Sequence, residues 1–170
     1  MADKYVGLDT GQMKEVEGTV ISSGPANSGD IAALGPDGLW DQSLMPIGIT
    51  PDTKQLIASE TLAAGDLINV WDNGGVTKAR KADASTVGKE ANGFVLEAVI
   101  ATEMARVYFD GTNNQVTGLV GGNIMFLSSS VPGTSTSTPP STVGNLVQPV
   151  GKSISTTELS FEPGQGIVLA

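Results

Sequence analysis

The chain has 170 residues and a formal net charge of −9, and it contains neither histidine nor cysteine. The absence of these two residue types excludes thiolate nucleophiles, disulfides, the most common general base and the usual ligands of zinc, haem and iron–sulfur clusters. The excess of carboxylates argues against binding to a phosphate backbone, which depends on clustered Lys and Arg. We therefore expect a non-enzymatic protein with no catalytic residues, no cofactor, no metal site and no nucleic-acid partner.

Targeting and membrane segments are not expected either. The N-terminal sequence "MADKYVGLDTGQ" lacks the apolar core of a signal peptide. No stretch approaches the roughly 18 apolar residues that a membrane span needs. We expect a protein that is made in a cytoplasm and has no membrane partner.

Residues 1–54 hold few apolar side chains, in groups too small to form a core of their own. They predict an extended N-terminal arm that lies against the rest of the chain, a neighbouring copy or a foreign surface. Within it, residues 4–18 ("KYVGLDTGQMKEVEG") are the candidate to add a strand to a partner's sheet edge, where backbone hydrogen bonds give affinity. The candidate partner-contact residues are Lys4, Tyr5, Val6, Leu8, Met13, Lys14 and Val16.

The segment "GLWDQSLMPIGI", residues 38–49, combines large apolar side chains with neither helical nor strand periodicity. Leaving this surface in water would cost several kcal/mol at roughly 25 cal/mol per Å². Two ways of covering it stay open: packing on the chain's own domain as a strap, or packing on a partner subunit. The strap or interface candidates are Trp40, Leu44, Met45, Pro46, Ile47 and Ile49.

Short apolar runs separated by Gly, Pro, Ser and Thr dominate the remainder of the chain. The clearest element is a hairpin over residues 67–80, with Asn73 and Gly74 predicted at the two central turn positions. A second strand pair is predicted over residues 93–100 and 105–111, and a third cluster of strands over 123–130, 146–155 and 158–170. The pattern predicts an all-β fold with a small β-barrel or β-sandwich domain over residues 55–170.

Two segments interrupt this pattern. Residues 128–143 ("SSSVPGTSTSTPPSTV") predict an exposed, mobile loop without a group that anchors a core. Lys78, Arg80 and Lys81 form the only dense basic spot. We interpret that spot as a solvated strand edge that discourages edge pairing, with an ion pair to an acidic partner as the alternative.

Several phrases of the chain resemble a family of small tailed-bacteriophage virion proteins, the capsid decoration (cement) and other head structural proteins. The most specific are "GLWDQSLMPIGI", "LAAGDLINVW" and "VGKSISTTELSFEPG", supported by "KEANGFVLEAV", "VYFDGTN" and "TGLVGG". The likeness covers roughly residues 18–170. None of these phrases is a catalytic motif.

The resemblance implies a β-rich homotrimer on the outer capsid surface of the virion, at threefold or quasi-threefold positions. Its partners would be other copies of itself and the major capsid protein, whose neighbouring subunits it clamps. It would reach that location from the host cytoplasm as part of an assembly. The phrases "GDIAAL" and "DGLWDQSLMP" also resemble segments of tail-fibre and baseplate proteins. The alternative is therefore a tail-fibre or baseplate module that binds a host receptor.

Overall fold

A computed structural model describes residues 4–9, 11–36, 38–45 and 52–170. The chain divides into two compact units, residues 1–50 and residues 51–170. Apart from two short 3₁₀ helices, Gly24–Asn27 and Gln42–Leu44, every helix or strand of the described residues is a β-strand. The predicted all-β class is therefore confirmed.

The first unit contains an antiparallel hairpin of strands β1 (Lys4–Asp9) and β2 (Gln12–Glu17). Further along, Thr19 and Ala32 form an isolated parallel bridge. None of the side chains described between residues 4 and 45 is buried. The expected extended arm is not confirmed, because residues 4–17 pair with each other rather than forming one free strand.

The second unit contains a closed five-stranded barrel in the order β3-β5-β4-β6-β7. Its strands are β3 (Thr53–Ala58), β4 (Leu67–Asp72), β5 (Thr77–Lys81), β6 (Gly93–Phe94) and β7 (Met104–Tyr108). Only β3 and β5 meet in parallel, over two residue pairs; the other neighbours are antiparallel. The buried side chains inside are Leu56, Ala58, Leu62, Ile68, Ala79, Val95, Ala105 and Val107. Of the two architectures predicted for this domain, a β-barrel or a β-sandwich, the structure contains the β-barrel.

The hairpin between β4 and β5 is confirmed, but its turn lies one residue later than predicted. Gly74 and Gly75 have φ angles of 65° and 87°, and Asn73 does not adopt a positive φ. The Asn73 N–H donates to the Val76 carbonyl at 2.9 Å, which closes a two-residue loop around the glycine pair. Two successive glycines accept the left-handed conformation at less cost than Asn and Gly, so they occupy the central positions.

A five-stranded sheet in the order β10-β9-β12-β13-β8 packs beside the barrel. Its strands are β8 (Gly111–Asn113), β9 (Ile124–Leu127), β10 (Ser135–Thr136), β12 (Pro149–Ser153) and β13 (Leu159–Phe161). A two-stranded ribbon joins β11 (Leu146–Val147) to β14 (Ile167–Val168). The segments of the third predicted strand cluster therefore contain three of the five strands of this sheet, β9, β12 and β13, and both strands of the ribbon.

A second apolar cluster joins the barrel to the sheet. Leu67 and Phe94 enter it from barrel strands, and Leu127 and Phe161 enter it from the sheet. The Phe94 ring stacks on Tyr108 and meets Phe161 edge-on, each with centroids 5.4 Å apart. Such aromatic pairs add about 0.5–1.5 kcal/mol to the area they bury. Residues 51–170 therefore contain two neighbouring cores, one inside the barrel and one between barrel and sheet.

The segment 128–143 is not the unanchored loop that its composition predicts. Gly133 donates its N–H to the Ala82 carbonyl and accepts the Leu67 N–H, both at 2.7 Å. A Cβ at Gly133 would approach Asp66 Oδ1 within 2.7 Å, so this close contact requires glycine. The prediction was wrong because it counted apolar side chains, whereas backbone hydrogen bonds anchor the segment.

The predicted strand pair over 93–111 is only partly present. β6 stops at Phe94, and its register with β7 consists of one pair, Phe94 with Tyr108. Val95 instead exchanges backbone hydrogen bonds with Gly65 and Asp66, at 2.8 and 3.1 Å. Because Val95 turns away to cover the inside of the barrel, residues 95–100 do not continue the strand.

Candidate interaction surfaces

The N-terminal hairpin distributes the predicted partner-contact residues over two faces. Directly opposed residues of an antiparallel pair share a face, so Val6 opposite Glu15 and Leu8 opposite Met13 lie on one side. Val6, Leu8 and Met13 are 66%, 77% and 83% exposed. We name this side the apolar hairpin face, defined by these three residues. On the same side, Lys4 and Glu15 form an exposed ion pair at 3.3 Å.

The opposite hairpin face carries the remaining candidates. Tyr5 is opposed to Val16, and Gly7 to Lys14. A Cβ at Gly7 would lie 3.2 Å from Val16 Cγ2 and 3.5 Å from Tyr5 Cε2, so these two half-buried side chains cover the glycine. Covering a strand glycine with an aromatic ring stabilises a narrow ribbon. Tyr5 and Val16 therefore hold the hairpin together, and the apolar hairpin face is the part left open.

The chain after the hairpin is held by a small polar network. Asp30 accepts hydrogen bonds from Thr19 Oγ1 at 2.7 Å and from Asn27 Nδ2 at 2.9 Å. The Asn27 side chain in turn accepts the Ser23 N–H at 2.6 Å. The Thr19 bond, and next the Asn27 bond, hold the pKa of Asp30 below its usual 3.8. The ionised carboxylate therefore organises this loop in place of an apolar core.

The strap candidates are only partly within the described residues. Trp40 is 57% exposed, and Leu44 and Met45 are half-buried at the end of the short 3₁₀ helix. Asp41 starts this turn by accepting the Ser43 N–H at 2.9 Å. Pro46, Ile47 and Ile49 lie outside the described residues. Burial of the segment against a partner subunit stays a prediction.

The basic spot was interpreted wrongly as a strand edge, because β5 lies between β3 and β4 in the barrel wall. Arg80 donates from Nε to Asn69 Oδ1 at 2.8 Å and from Nη2 to the Gly88 carbonyl at 2.9 Å. Lys81 pairs with the buried Asp66, Nζ to Oδ2, at 3.1 Å. Arg80 and Lys81 therefore both stabilise the fold, Arg80 through hydrogen bonds to uncharged groups and Lys81 through an ion pair.

Residues 51–170 carry two exposed apolar surfaces that the sequence did not predict. Ile100 and Met104, 70% and 55% exposed, flank a turn of the barrel. Val120, Ile124 and Ile154, 67%, 59% and 55% exposed, lie at one end of the five-stranded sheet. A signal for the second was present: β9 reads "IMFL", without the polar alternation expected of a sheet with one solvated face.

Neither a cluster suited to a metal ion nor a membrane-spanning helix occurs within the described ranges. No three Asp or Glu side chains there come together in a way that could hold a metal ion. The same ranges contain no helix with the length and apolar character of a membrane span. These observations add no site to the surfaces above.

Comparison with known proteins finds no match to the chain among family models, curated proteins or solved structures.

Proposed function

We propose that this chain is a non-enzymatic structural protein of a tailed-bacteriophage virion, a capsid decoration (cement) protein. The resemblance of its phrases to that family supports the location, on the outer capsid surface. The fold is compatible with it: a β-barrel and sheet form a stable body, and a separate N-terminal unit offers apolar side chains that its own residues leave exposed. The partners are the major capsid protein and further copies of this chain.

The observation that carries the proposal is the apolar hairpin face. A two-stranded hairpin is marginally stable by itself in water, and exposing Val6, Leu8 and Met13 adds an unfavourable solvation term. Docking this face on a surface removes that term. Among the described residues no further strand pairs with either edge of this hairpin, and a strand edge can accept another strand by backbone hydrogen bonding.

Decoration stabilises a capsid by mass action. A protein that binds the assembled lattice and not its separated subunits shifts the equilibrium toward assembly, by RT ln(1 + [L]/Kd) per site. Three hairpins in a trimer would bind together, so a modest contact from each gives high avidity. The net charge of −9 suits an exterior location away from packaged DNA.

The test is binding of the purified full-length protein to heads of its phage that lack it, measured by co-sedimentation, with cryo-electron microscopy of virions to locate it. We expect density at threefold or quasi-threefold sites of the capsid. The double substitution Leu8→Asp with Met13→Asp should abolish co-sedimentation, because it places two charges on the apolar hairpin face.

Gln12→Asp is the matched control. It adds one charge to the same hairpin on the opposite face, where Gln12 is exposed and opposed to Asp9. This variant should bind heads nearly as well as the unmodified protein. Density confined to the tail, together with binding of the isolated protein to host-cell glycans, would favour the tail-fibre or baseplate alternative and overturn the proposal.

A further inference from the structure

The chain contains the dipeptide Asn-Gly twice, at Asn73–Gly74 and at Asn92–Gly93. An asparagine followed by glycine readily loses its side-chain amide, because glycine has no side chain to obstruct attack of its backbone nitrogen on the asparagine side chain. In a folded protein this reaction requires that both groups can move and that water reaches them. The structure places the two dipeptides in opposite environments.

The first dipeptide lies in the turn between β4 and β5. Asn73 and Gly74 are both exposed, and a Cβ at Gly74 would meet no atom within 4 Å. The next residue, Gly75, is held by its N–H, which donates to Asp72 Oδ2 at 3.1 Å. The Gly74 N–H and the Asn73 side chain, by contrast, have no hydrogen-bond partner among the described residues. The attacking nitrogen and the amide that it attacks are therefore both accessible to water and not held in place.

The second dipeptide lies at the start of β6 and is held on both sides. Asn92 is exposed, but its Oδ1 accepts the Val70 N–H at 2.9 Å and a hydrogen bond from Asn69 Nδ2 at 3.2 Å. Gly93 is buried, and a Cβ there would lie 2.5 Å from the Tyr108 carbonyl oxygen. Attack of the Gly93 nitrogen on the Asn92 side chain therefore requires this part of the barrel to open first.

We propose that Asn73 is a site of spontaneous deamidation in the folded protein, and that the structure protects Asn92 from the same reaction. The Gly74 nitrogen loses its proton and forms a bond to Asn73 Cγ, the Cγ–Nδ2 bond breaks, and ammonia leaves with that proton. Water then opens the resulting succinimide ring. Cleavage between the ring nitrogen and Cγ gives aspartate, whereas cleavage between the ring nitrogen and the main-chain carbonyl carbon gives isoaspartate, in which the main chain runs through Cγ.

Either product adds a negative charge beside Asp72, on a chain whose net charge is already −9. Isoaspartate also lengthens the main chain by one carbon atom inside the two-residue loop that the Asn73 N–H closes on the Val76 carbonyl. The protein therefore acquires, with age, a more acidic form that differs at the β4–β5 turn. This inference depends neither on the proposed virion location nor on self-association.

The experiment incubates the purified full-length protein in warm, mildly alkaline buffer and follows deamidation by peptide mass spectrometry. Trypsin places the two asparagines in different peptides, residues 55–78 and residues 90–106, and a sample digested without incubation corrects for reaction during the digest. We expect Asn73 to react at least about tenfold faster than Asn92, because Asn92 reacts only after local opening. Fragment spectra should show aspartate and isoaspartate at residue 73.

Unfolded protein is the matched control. In guanidinium chloride both dipeptides are released, so their two rates should agree to within about threefold. Isoelectric focusing of the native protein should show a more acidic form that grows with incubation. Asn73→Gln should remove this form, since the longer side chain would have to close a six-membered ring, and circular dichroism melting verifies that the variant is folded.

Equal rates at Asn73 and Asn92 in the native protein would overturn the inference. So would an Asn73 that reacts in guanidinium chloride but not in the native protein, because the turn would then protect it. A difference between the two sites that persists in guanidinium chloride would show that local sequence, rather than the fold, sets the rates, and this result also contradicts the proposal.

Discussion

The guanidinium carbon of Arg80 lies 4.6 Å from the centroid of the Trp71 ring, across the outer surface of two adjacent barrel strands. The same guanidinium bonds Asn69 and the carbonyl of Gly88, so a single side chain joins β4, β5 and the loop that follows them. Arg80, a basic residue of an acidic protein, therefore stabilises the contact between these two strands and the loop.

Arg80→Ala should lower the free energy of unfolding by about 2–4 kcal/mol, through loss of two charge-assisted hydrogen bonds and the cation–π contact. Arg80→Lys should recover only part of this, because an ammonium group cannot reproduce the planar fork. Urea unfolding measures the stability, and faster hydrogen exchange over residues 83–92 would locate the loss. Lys54→Ala, on an exposed lysine of β3, is the control and should change stability by less than about 0.5 kcal/mol.

A substitution at Trp71, by contrast, is expected not to lower the stability of the protein. Its indole Nε1 is shielded from solvent and has no acceptor among the described residues. Phenylalanine keeps a ring beneath Arg80 and removes the unpaired donor, whose burial costs about 1–3 kcal/mol. Trp71→Phe should therefore be neutral or stabilising in thermal melts. A loss of more than about 2 kcal/mol would show that the indole contributes packing that outweighs its unpaired N–H.

Gly151 occupies a β-bulge where no other residue fits. Its φ is 134°, and a Cβ there would overlap the Ser160 carbonyl oxygen of the neighbouring strand. Gly151→Ala should destabilise residues 51–170 by more than about 3 kcal/mol or prevent folding, as judged by soluble yield and melting temperature. The control is Gly164→Ala, whose Cβ would meet Pro149 at an ordinary 3.5 Å, and this protein should fold normally.

The buried side chain of Gln148 forms hydrogen bonds with backbone groups of Ala91 and Gly164, as a neighbouring strand would. Its Oε1 accepts the Ala91 N–H at 2.8 Å, and its Nε2 donates to the carbonyls of Ala91 at 3.0 Å and Gly164 at 3.1 Å. Gln148→Leu leaves these backbone groups without a partner and should cost about 2–5 kcal/mol in denaturant unfolding. Gln55→Leu changes the same residue type at an exposed site of β3 and should have little effect. Equal stability of the two variants would contradict the argument.

The conformation of the loop around Asp30 should depend on pH. The pKa of Asp30 is lowered in the folded chain, so its ionised form favours the loop. That contribution is fully present above about pH 3.8 and is lost as the pH falls through the lower, folded pKa. Amide chemical shifts of residues 19–32 should therefore change together in this acidic range. Asp30→Asn should remove the shared transition, and a carboxyl that titrates at its usual pKa would contradict the prediction.

Several features could be predicted from the sequence because they depend on local chemistry. Alternation in "LINVW" followed by the turn residues "DNGG" predicts the β4–β5 hairpin, although not its central pair, and the frequent turn residues predict the all-β class. The small apolar groups of the first fifty residues predict a segment without a core of its own, and none of the side chains described between residues 4 and 45 is buried, although the predicted extended arm is not confirmed. The sequence identifies Val6, Leu8 and Met13 as candidates but not their shared face, because that face depends on the register of β1 with β2.

What the sequence by itself determined is the all-β class, the presence of the β4–β5 hairpin and the absence of histidine and cysteine chemistry, because these follow from residue type and near-neighbour spacing. The tertiary structure decided which strands meet, and with it the roles of particular residues. Arg80 joins β4, β5 and the following loop because β5 pairs with β4. Gly133 holds residues 128–143 in place because its backbone reaches the barrel strands. Lys152 lies beside Ile124 because β12 pairs with β9, which lies 28 residues earlier in the chain (152 − 124). Such long-range pairs depend on loop closure and core packing, which no short stretch of sequence encodes.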